Sequence, residues 1–391
     1  MIEPKDVQTK YNLPAEVRFC KRCTISNQRP RISFNEEGVC SACGFAEMKK
    51  RVNWEEREKG LIELCDKYRR NDGSHDVVVP SSGGKDSTFT AHQLKYKYGM
   101  NPLTVTWAPH LYTDVGWRNL QALSHNGGLD NILFTPSGPV HRKLTKLAFE
   151  ILGDPFQPFI YGQVNIPLQI AVKYKIPLVM YGENSEAEYG GSMKNAESPT
   201  RDYHGDIKDF AFSGLDPADM VLHGINKKDL LVYAKPSIGD LDRNNTKIYM
   251  LGYYKKWIPQ ESYYYAVQHA GFSANPERSE GTYSKYASLD DKTDGFHHYL
   301  SYIKFGLGRA TADTAHEIRD GHLMREEGVR LVQKYDGEFP DKYFKTFLDY
   351  CDITEEYFWE VVDSFRSPHL WVKINGEWKL RHVVSNDGVD D

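Results

Sequence analysis

The hexapeptide Ser82-Gly83-Gly84-Lys85-Asp86-Ser87 directly follows a valine-rich run and combines two glycines with a cation, a carboxylate and two hydroxyls. The glycines allow the backbone to turn sharply and to approach a ligand without a Cβ in the way. Amides presented by such a turn lie at the N-terminus of the following helix, where anions bind. The segment therefore predicts a phosphate-binding nest. In it the serines donate hydroxyl protons, Lys85 supplies positive charge, and Asp86 either caps the helix or contacts a Mg²⁺ ion that bridges phosphates.

An ordinary strand-to-helix turn capped by Ser or Asp is the simpler alternative for this segment, but the full combination after a valine-rich strand is more specific than a glycine pair alone. The Walker A pattern G-x-x-x-x-G-K-[ST] is absent here.

Four of the six cysteines, Cys20, Cys23, Cys40 and Cys43, form the pattern C-x2-C-x16-C-x2-C. This spacing is typical of a zinc site, because each C-x2-C turn directs two thiolates at one tetrahedral ion. Four cysteines close the coordination sphere, so the role is structural rather than catalytic. An iron-sulfur cluster and a pair of disulfides are the alternatives. Asn35 to Gly38, between the cysteine pairs, predict a hairpin turn and hence a small zinc ribbon.

A second polar group lies in the segment from Tyr181 to Gly191, at the carboxyl end of a predicted strand. Glu183 is the carboxylate closest to the strand end, where it can hold Mg²⁺ or orient ammonia, and Asn184 can bind a sugar. A solvated acidic loop is the alternative interpretation.

The helix predicted near residues 294–305 has an apolar face and a separate row of polar residues. Its apolar stripe is expected to pack inward. His297, Ser301 and Lys304 follow one another at i, i+4 and i+7, so their side chains can converge on one ligand. Glycines then end the helix before Arg309. Lys304 and Arg309 suit phosphate groups of ATP or of a nucleotide sugar, whereas capping of the helix C-terminus is the alternative for either cation.

Strands and helices must position these residues. From residue 76 onward, the pattern of apolar residues predicts strands and helices in alternation. Apolar runs at 76–80, 102–107, 131–134 and 177–181 predict strands, and helical patterns lie at 87–98, 116–125, 140–152 and 164–175. Continuously apolar strands indicate a parallel sheet covered on both faces. The predicted fold is therefore α/β with a doubly wound parallel sheet, in which ligands bind beyond the carboxyl ends of the strands.

Charge and hydropathy exclude several classes of protein. The 391 residues include 49 basic and 54 acidic side chains, a formal net charge of −5, which argues against broad nucleic-acid binding. No run of about 18 apolar residues predicts a membrane span, and the N-terminus lacks the pattern of a secretory signal. We therefore expect a cytoplasmic protein with no membrane or nucleic-acid partner.

The segment 82–87 resembles the PP-loop of the ATP pyrophosphatases, a superfamily with a HUP-like sheet that adenylates an oxygen and releases pyrophosphate. Further stretches narrow the resemblance. These are the cysteine pairs, Thr106-Trp107-Ala108-Pro109-His110, Tyr112-Thr113-Asp114-Val115-Gly116, Gly182-Glu183-Asn184, Glu188-Tyr189-Gly190-Gly191 and DGFHHYLSYIKFGLGRAT from Asp294. From about Cys20 to Asp336 the chain resembles the N-acetyl sugar amidotransferases of bacterial O-antigen and nonulosonic acid (pseudaminic and legionaminic acid) biosynthesis.

The resemblance implies a function and a domain organisation. An acetamido group of a nucleotide-activated or free sugar becomes an acetamidino group through an O-adenylyl imidate that ammonia attacks, with release of AMP and pyrophosphate. ATP, Mg²⁺ and structural Zn²⁺ are the implied cofactors, and Glu188 and Tyr189 join the expected substrate contacts. The implied domains are a zinc ribbon (1–50), a linking helix (51–75), the PP-loop domain (76–270) and a C-terminal helical region that completes the active site (271–391).

The chain lacks a recognisable glutaminase nucleophile, because neither Cys65 nor Cys351 has a suitable sequence setting. The resemblance implies a separate glutaminase and a cyclase-like ammonia-channel subunit, similar to the subunits of imidazole glycerol phosphate synthase. A PP-loop tRNA sulfurtransferase is the main alternative function, and a zinc-ribbon scaffold that binds ATP as a regulatory ligand is a second one.

Overall fold

The computed structural model describes residues 2–202 and 207–385. Three short stretches of the predicted domains lie outside the described residues: residue 1 of the ribbon segment, 203–206 of the PP-loop segment and 386–391 of the C-terminal region. Within the described ranges no helix is both long and apolar enough to cross a bilayer.

The centre of the described fold is a six-stranded sheet with the order β3-β2-β1-β4-β6-β5. Its strands are β1 (Val77–Pro80), β2 (Pro102–Trp107), β3 (Asp130–Phe134), β4 (Leu178–Tyr181), β5 (Thr200–Arg201) and β6 (Lys247–Met250). All neighbours pair in parallel except β5, which pairs antiparallel with β6 at the edge. A separate antiparallel hairpin joins β7 (Trp371–Ile374) to β8 (Glu377–Leu380).

Some helices of the described ranges cover the two faces of this sheet, and others form a separate core with the ribbon. They are α1 (Val7–Tyr11), α2 (Ser41–Lys49), α3 (Trp54–Tyr68), α4 (Lys85–Tyr96), α5 (Asp114–His125), α6 (Gly138–Leu152), α7 (Gln157–Lys173), α8 (Ser185–Tyr189), α9 (Ile207–Phe210), α10 (Ile238–Arg243), α11 (Leu251–Tyr254), α12 (Pro259–Ala270), α13 (Asp294–Phe305), α14 (Arg309–Asp320), α15 (Arg325–Tyr335), α16 (Phe344–Cys351) and α17 (Glu355–Ser364), with 3-10 turns at Pro217–His223, Lys227–Tyr233 and Asp341–Tyr343.

The two faces of the sheet are covered by different cores, as a doubly wound sheet requires. Successive side chains of a strand point to opposite faces. Val78 accordingly packs with α6 and α7, whereas Val77 and Val79 pack with α3, α4 and α5. All three valines are at most 1% exposed, which is why β1 is continuously apolar. The predicted α/β fold class is therefore confirmed.

A third core joins the two ends of the chain. It combines the four clustered cysteines and Val7 with apolar residues of α13, α16, α17 and β7. The backbone amide of Lys5 also donates to the carbonyl of Ser364 at 2.7 Å. The cysteine ribbon thus packs against the C-terminal helices.

The strands and helices predicted between residues 76 and 181 are all present, with bounds that differ by a few residues. The largest difference is α7, which begins at Gln157 with Pro158 in its first turn. The predicted turn at Asn35 is also present, because Gly38 donates to the carbonyl of Asn35 and has a φ of +75°. The helical description of the C-terminal region omitted the hairpin β7–β8, whose turn Asn375-Gly376 has two positive φ angles.

Gly162 brings α7 close to β2, and we predict that a methyl group there destabilises the protein. A Cβ at Gly162 would lie 1.9 Å from the ring of Trp107, a buried side chain of β2. Gly162→Ala should lower the free energy of unfolding by about 1–3 kcal/mol, measured by urea denaturation. Gly44→Ala, in α2 with open space around the position, is the matched control and should leave stability equal or higher. Equal stability of both variants would contradict the close packing of α7 on β2.

Candidate active site

The glycine-rich loop lies where the sequence predicts it, between the carboxyl end of β1 and the N-terminus of α4. Gly83 has a φ of +83°, and a Cβ there would lie 2.7 Å from the backbone of Leu120 in α5. Only glycine fits both the conformation and this approach. Gly84 is the N-cap residue of α4 and makes no side-chain cap, so the first amides of the helix face the loop.

The hydroxyl groups of Ser82 and Ser87 have different surroundings in the loop. Ser87 Oγ donates to the carbonyl of Gly84 at 3.1 Å and lies 2.9 Å from Ser81 Oγ. The amide of Gly83 donates to Ser81 Oγ at 3.2 Å. Ser87 thus holds the shape of the loop, whereas Ser82 lines the adjoining cavity.

We call this space the loop cavity; it has a volume of about 170 Å³ and adjoins Ser82, Gly83, Gly84, Lys85 and Asp86. Asn119, Tyr286, Asp290 and Arg309 close its other sides. Lys85 Nζ bonds the Asp86 carboxylate, and the indole of Trp257 donates to Asp86 Oδ1 at 3.2 Å. Asp86 is therefore oriented by two donors instead of capping α4.

Glu183 follows β4, the strand beside β1, and this neighbour relation brings it near the loop. Burial raises the pKa of Glu183 to about 7, and the negative charge of Asp86 adds to the increase. A carboxyl group with this pKa can accept and release a proton near neutral pH. The charges of Lys85 and Asp86 both act on Glu183, so the three side chains lie in one region.

Asn184 and Glu188 have structural partners where the sequence analysis assigned them to the substrate. Asn184 caps α8 and donates from Nδ2 to the carbonyl of Asn195 at 3.0 Å. Lys49 Nζ lies 2.7 and 2.6 Å from the two carboxylate oxygens of Glu188, which is 4% exposed. Neither residue lines the loop cavity.

The remaining predicted residues lie together around a larger space of about 370 Å³, which we call the helix cavity. It is lined by Tyr189 of α8, by His297, Ser301 and Lys304 of α13, and by Arg309 of α14. The stripe predicted on α13 therefore faces one cavity. Arg309 lines the helix cavity and the loop cavity and connects them.

Several of these side chains are oriented by neighbours. His297 Nδ1 lies 2.8 Å from Asp154 Oδ1. Although burial opposes it, the charge of Asp154 raises the pKa of His297. Arg309 lies 3.0 Å from Asp313 and 3.1 Å from His298 Nε2. Burial, and then the charge of Arg309, lowers the pKa of His298, so His298 can accept a hydrogen bond from Arg309.

The sequence analysis missed three residues of the site: Asp290 and Arg29, which line the cavities, and Trp257, which orients Asp86. Asp290 lines the loop cavity, and burial raises its pKa to about 6, with Asp294 as a further cause. Arg29 of the ribbon lines the helix cavity. Each comes from a segment far from the glycine-rich loop in sequence, and no local spacing links it to the loop.

The four predicted metal ligands form one compact cluster. Their sulfur atoms all lie within 4.8 Å of one another, and the Sγ atoms of Cys20 and Cys43, and of Cys23 and Cys40, are 3.8 Å apart. Bonds of about 2.3 Å to one tetrahedral zinc ion require sulfur atoms about 3.8 Å apart. The donor set and spacing therefore fit one zinc ion, and these four side chains would hold it.

The cysteine cluster is joined to the cavity wall. Arg319 of α14 places Nη1 at 3.9 Å from Cys23 Sγ and donates from Nη2 to the carbonyl of Glu188 at 2.6 Å. Arg31 of the ribbon contacts Glu186 Oε1 at 2.8 Å. The ribbon thus fixes α8, the helix that follows Glu183.

Comparison with known proteins connects the C-terminal region with a family. Residues 280–384 match the family model "LPS biosynthesis protein WbpG-like, C-terminal domain". This segment contains α13, α14 and the Arg309 that joins the two cavities. The C-terminal region is therefore similar to a domain of lipopolysaccharide biosynthesis proteins.

Other likenesses are more distant. An uncharacterized protein of Methanocaldococcus jannaschii is 31% identical over 88 residues, which span 22% of this chain and 31% of that relative. The U34-tRNA thiolase NcsA of Methanococcus maripaludis, with a [4Fe-4S] cluster, has a TM-score of 0.31 at 16% identity over 68% of this chain and 79% of its own. NH3-dependent NAD synthetase of Campylobacter jejuni has a TM-score of 0.29 and is 13% identical; the match covers 49% of this chain and 95% of that protein's chain. NMN synthetase of Francisella tularensis has a TM-score of 0.27 and is 15% identical; the match covers 49% of this chain and 77% of that protein's chain. The fold assignment rests on the sheet order and cores described above.

The cysteine geometry predicts one zinc ion per chain. Cys23→Ser should abolish zinc binding, measured by inductively coupled plasma mass spectrometry, and should lower the thermal unfolding temperature because the ribbon packs with the C-terminal helices. Cys65→Ala is the control. Cys65 belongs to the sheet core, so this substitution should leave the zinc content unchanged. Iron and sulfide in place of zinc would contradict this prediction.

The raised pKa of Glu183 predicts a pH dependence of stability. The native state holds the proton of Glu183 more tightly than the unfolded state, so this residue makes the protein less stable as pH rises from about 4.5 to about 7. Glu183→Gln should remove this loss and gain stability relative to the natural chain across that interval. The measurement is the urea midpoint without added magnesium or nucleotide.

Glu63→Gln, an exposed substitution of the same type on α3, is the control for this pH series. A stability difference between Glu183→Gln and the natural chain that stays constant over the interval would contradict the assigned pKa.

Proposed function

We propose that this protein is an ATP-dependent amidotransferase of lipopolysaccharide or related surface-polysaccharide biosynthesis. It converts the acetamido group of a sugar, free or carried on a nucleotide, into an acetamidino group. The observation that carries the proposal is the pair of connected cavities. A glycine-lined loop cavity adjoins a larger cavity, and one wall of the second belongs to the region that resembles the WbpG-like domain.

The chemistry of an amide explains why such a pair of cavities is needed. An amide carbon is a poor electrophile, and its oxygen is a poor leaving group. In the proposed first step the amide oxygen attacks the α-phosphorus of ATP, and the bond to pyrophosphate breaks. In the second step ammonia adds to the imidate carbon, AMP leaves with the oxygen, and one proton of the added nitrogen is released.

The side chains have distinct roles in these steps. The loop amides and Ser82 bind the departing pyrophosphate, and Lys85 and Arg309 stabilise its developing charge. Glu183 accepts the proton released from nitrogen, a role that suits its raised pKa. Asp86, oriented by Trp257, would hold Mg²⁺, which neutralises phosphate charge when bound. The ribbon's zinc ion has a structural role.

Ammonia must come from another subunit under this proposal. Burial raises the pKa of Cys65 to about 12 and that of Cys351 to about 12, so neither thiol is poised as a nucleophile. The proposed partners are a glutaminase and a cyclase-like subunit that channels ammonia, and the proposed compartment is the cytoplasm. The same burial disfavours a sulfurtransferase that carries sulfur on either cysteine.

The test is formation of AMP from ATP with ammonium and a panel of acetamido sugars, with mass spectrometry to detect replacement of oxygen by NH. Lys85→Ala should lower the rate of AMP formation by about 100-fold or more, because it removes charge stabilisation at the phosphates. Zinc content and thermal unfolding should stay close to those of the natural chain.

Lys97→Ala is the matched control, because Lys97 is exposed at the far end of α4 and pairs with Glu58. This variant should keep the natural rate. AMP formation that survives Lys85→Ala unchanged, or pyrophosphate release without any change in the sugar, would contradict the proposed role of the loop.

A further inference from the structure

A third cavity follows α14 from its first residue, Arg309, to its last, Asp320, and we call it the α14 cavity. Its opposite wall includes Gln260 of α12 and, from the segment between α12 and α13, Ser284 and Tyr286. The volume is about 30 Å³, which leaves room for about one or two molecules of the size of water or ammonia. A sugar or a nucleotide is too large for this space.

The α14 cavity meets the two cavities described above. Lys85, Tyr286 and Arg309 line both the α14 cavity and the loop cavity. Tyr189 and Arg309 line both the α14 cavity and the helix cavity. All three spaces therefore adjoin Arg309. The proposed reaction has three reactants, and the α14 cavity has the size of the smallest one, ammonia.

The charges along the α14 cavity change sign between its two ends. His322, which is exposed, marks the outer end, and the charges of His322 and Asp320 both act on Glu317. Lys85 and Arg309 form the inner end, beside the loop cavity. The carboxylates attract an ammonium ion at the outer end, and the two cations repel it at the inner end. This arrangement favours the passage of neutral ammonia past Arg309.

Glu317 differs from the other two carboxylates of this wall because it lacks a cationic partner. Asp313 Oδ1 lies 3.0 Å from Arg309 Nε, and Asp320 Oδ2 lies 3.0 Å from His316 Nδ1. Within the described ranges Glu317 forms no ion pair within 4.0 Å. A partly buried carboxylate without a cation is a favourable place for a small cationic ligand.

Tyr283 lies close to Glu317 and also has an unused polar atom. Its hydroxyl is buried and has no hydrogen-bond partner in the part of the chain that the structure describes. Burial, and then the charge of Glu317, raises the pKa of Tyr283 and keeps the phenol protonated. Burial also raises the pKa of Glu317, which makes it a better proton acceptor. An ammonium ion between them would donate hydrogen bonds to the carboxylate and to the phenol oxygen.

We infer that the α14 cavity is the ammonia site of this protein, with Glu317 as the residue that binds ammonium and accepts one of its protons. This inference rests on the proposed function, because it concerns the nucleophile of the same reaction. An N–H bond of ammonium breaks, its electron pair stays on nitrogen, and the proton passes to Glu317 and then to water at the outer end. The nitrogen lone pair then forms the bond to the imidate carbon beside Arg309. Glu183 accepts the proton released after that bond has formed.

Ammonium binding can be measured on the full zinc-loaded chain without ATP or sugar. Ammonium chloride should raise the thermal unfolding temperature by about 1–2 °C relative to equal concentrations of tetramethylammonium chloride, because a ligand of the native state stabilises it and tetramethylammonium is too large for the cavity. Potassium is close to ammonium in size but has no N–H donors, so its effect should be smaller. Glu317→Gln should remove the difference between the salts.

The kinetic test uses ammonium, ATP and an acetamido sugar that yields AMP. Glu317→Gln should raise the KM for ammonium by about 10-fold or more, because a charge-assisted hydrogen bond is lost, and should leave the KM for ATP and for the sugar unchanged. Water that attacks the imidate in place of ammonia regenerates the acetamido group. The variant should therefore form more AMP per acetamidino product than the natural chain.

Further variants control for an indirect effect on folding. Glu317→Asp keeps the carboxylate and should restore part of the affinity for ammonium. Gln260→Phe narrows the α14 cavity from the side of α12 and should raise the KM for ammonium without changing any charge. Glu326→Gln, an exposed substitution of the same type on α15, is the matched control and should behave like the natural chain.

The outcomes distinguish this inference from the proposed function. If no acetamido sugar yields AMP, the proposed function fails, whereas an ammonium-specific stabilisation that is lost in Glu317→Gln still supports the ammonium site. If AMP forms and Glu317→Gln keeps the natural KM for ammonium and the natural product ratio, the inference is overturned and the proposed function stands. Equal stabilisation of the natural chain by ammonium, potassium and tetramethylammonium also overturns the inference.

Discussion

The buried carboxylate of Glu188 is the contact on which the arrangement of the site depends. Lys49 Nζ, at the end of the ribbon helix α2, lies 2.6 Å from Glu188 Oε2, and His316 of α14 lies 3.4 Å from the same oxygen. Although burial opposes it, His316 and Lys49 lower the pKa of Glu188 and keep it ionised. Removing one partner of such a buried pair leaves an uncompensated charge, which is strongly destabilising. One carboxylate thus joins the ribbon, α8 and the C-terminal helices.

Because of this contact, the site can combine one wall from the parallel sheet with a second wall from other layers of the fold. The sheet places the glycine-rich loop and Glu183 side by side, because β1 and β4 are neighbours and both end at the same edge. The opposite wall comes from α13 and α14, which pack with the ribbon in a separate core. Arg309 begins α14 and therefore lies at the boundary between the sheet's contribution and that of the added layers.

Sequence predicted the parts of this structure whose cause is local. The strands β1, β2 and β4 are almost completely buried, and the cysteine pairs and the turn at Asn35 have characteristic spacing. The turn Asn375-Gly376 was an equally local signal for β7–β8, but the surrounding charges favoured a helical interpretation. Asn184 was assigned to the substrate from its position near a strand end, and Glu188 from the family resemblance. Neither signal reveals the structural partner of the side chain. Lys49 lies far away in sequence, so its pairing with Glu188 depends on the assembled fold.

The third core has a consequence for how the chain is made. Val7 and the cysteine ribbon share this core with Phe347 and Phe365, so part of the ribbon's apolar surface is covered by segments that are synthesised much later. Domains generally fold as units during synthesis, at about 5–20 residues per second. The sheet can acquire its own cores while translation continues, whereas the ribbon completes its packing only when the later helices have been made. A prematurely terminated chain would therefore lack the helices that cover this apolar face of the ribbon.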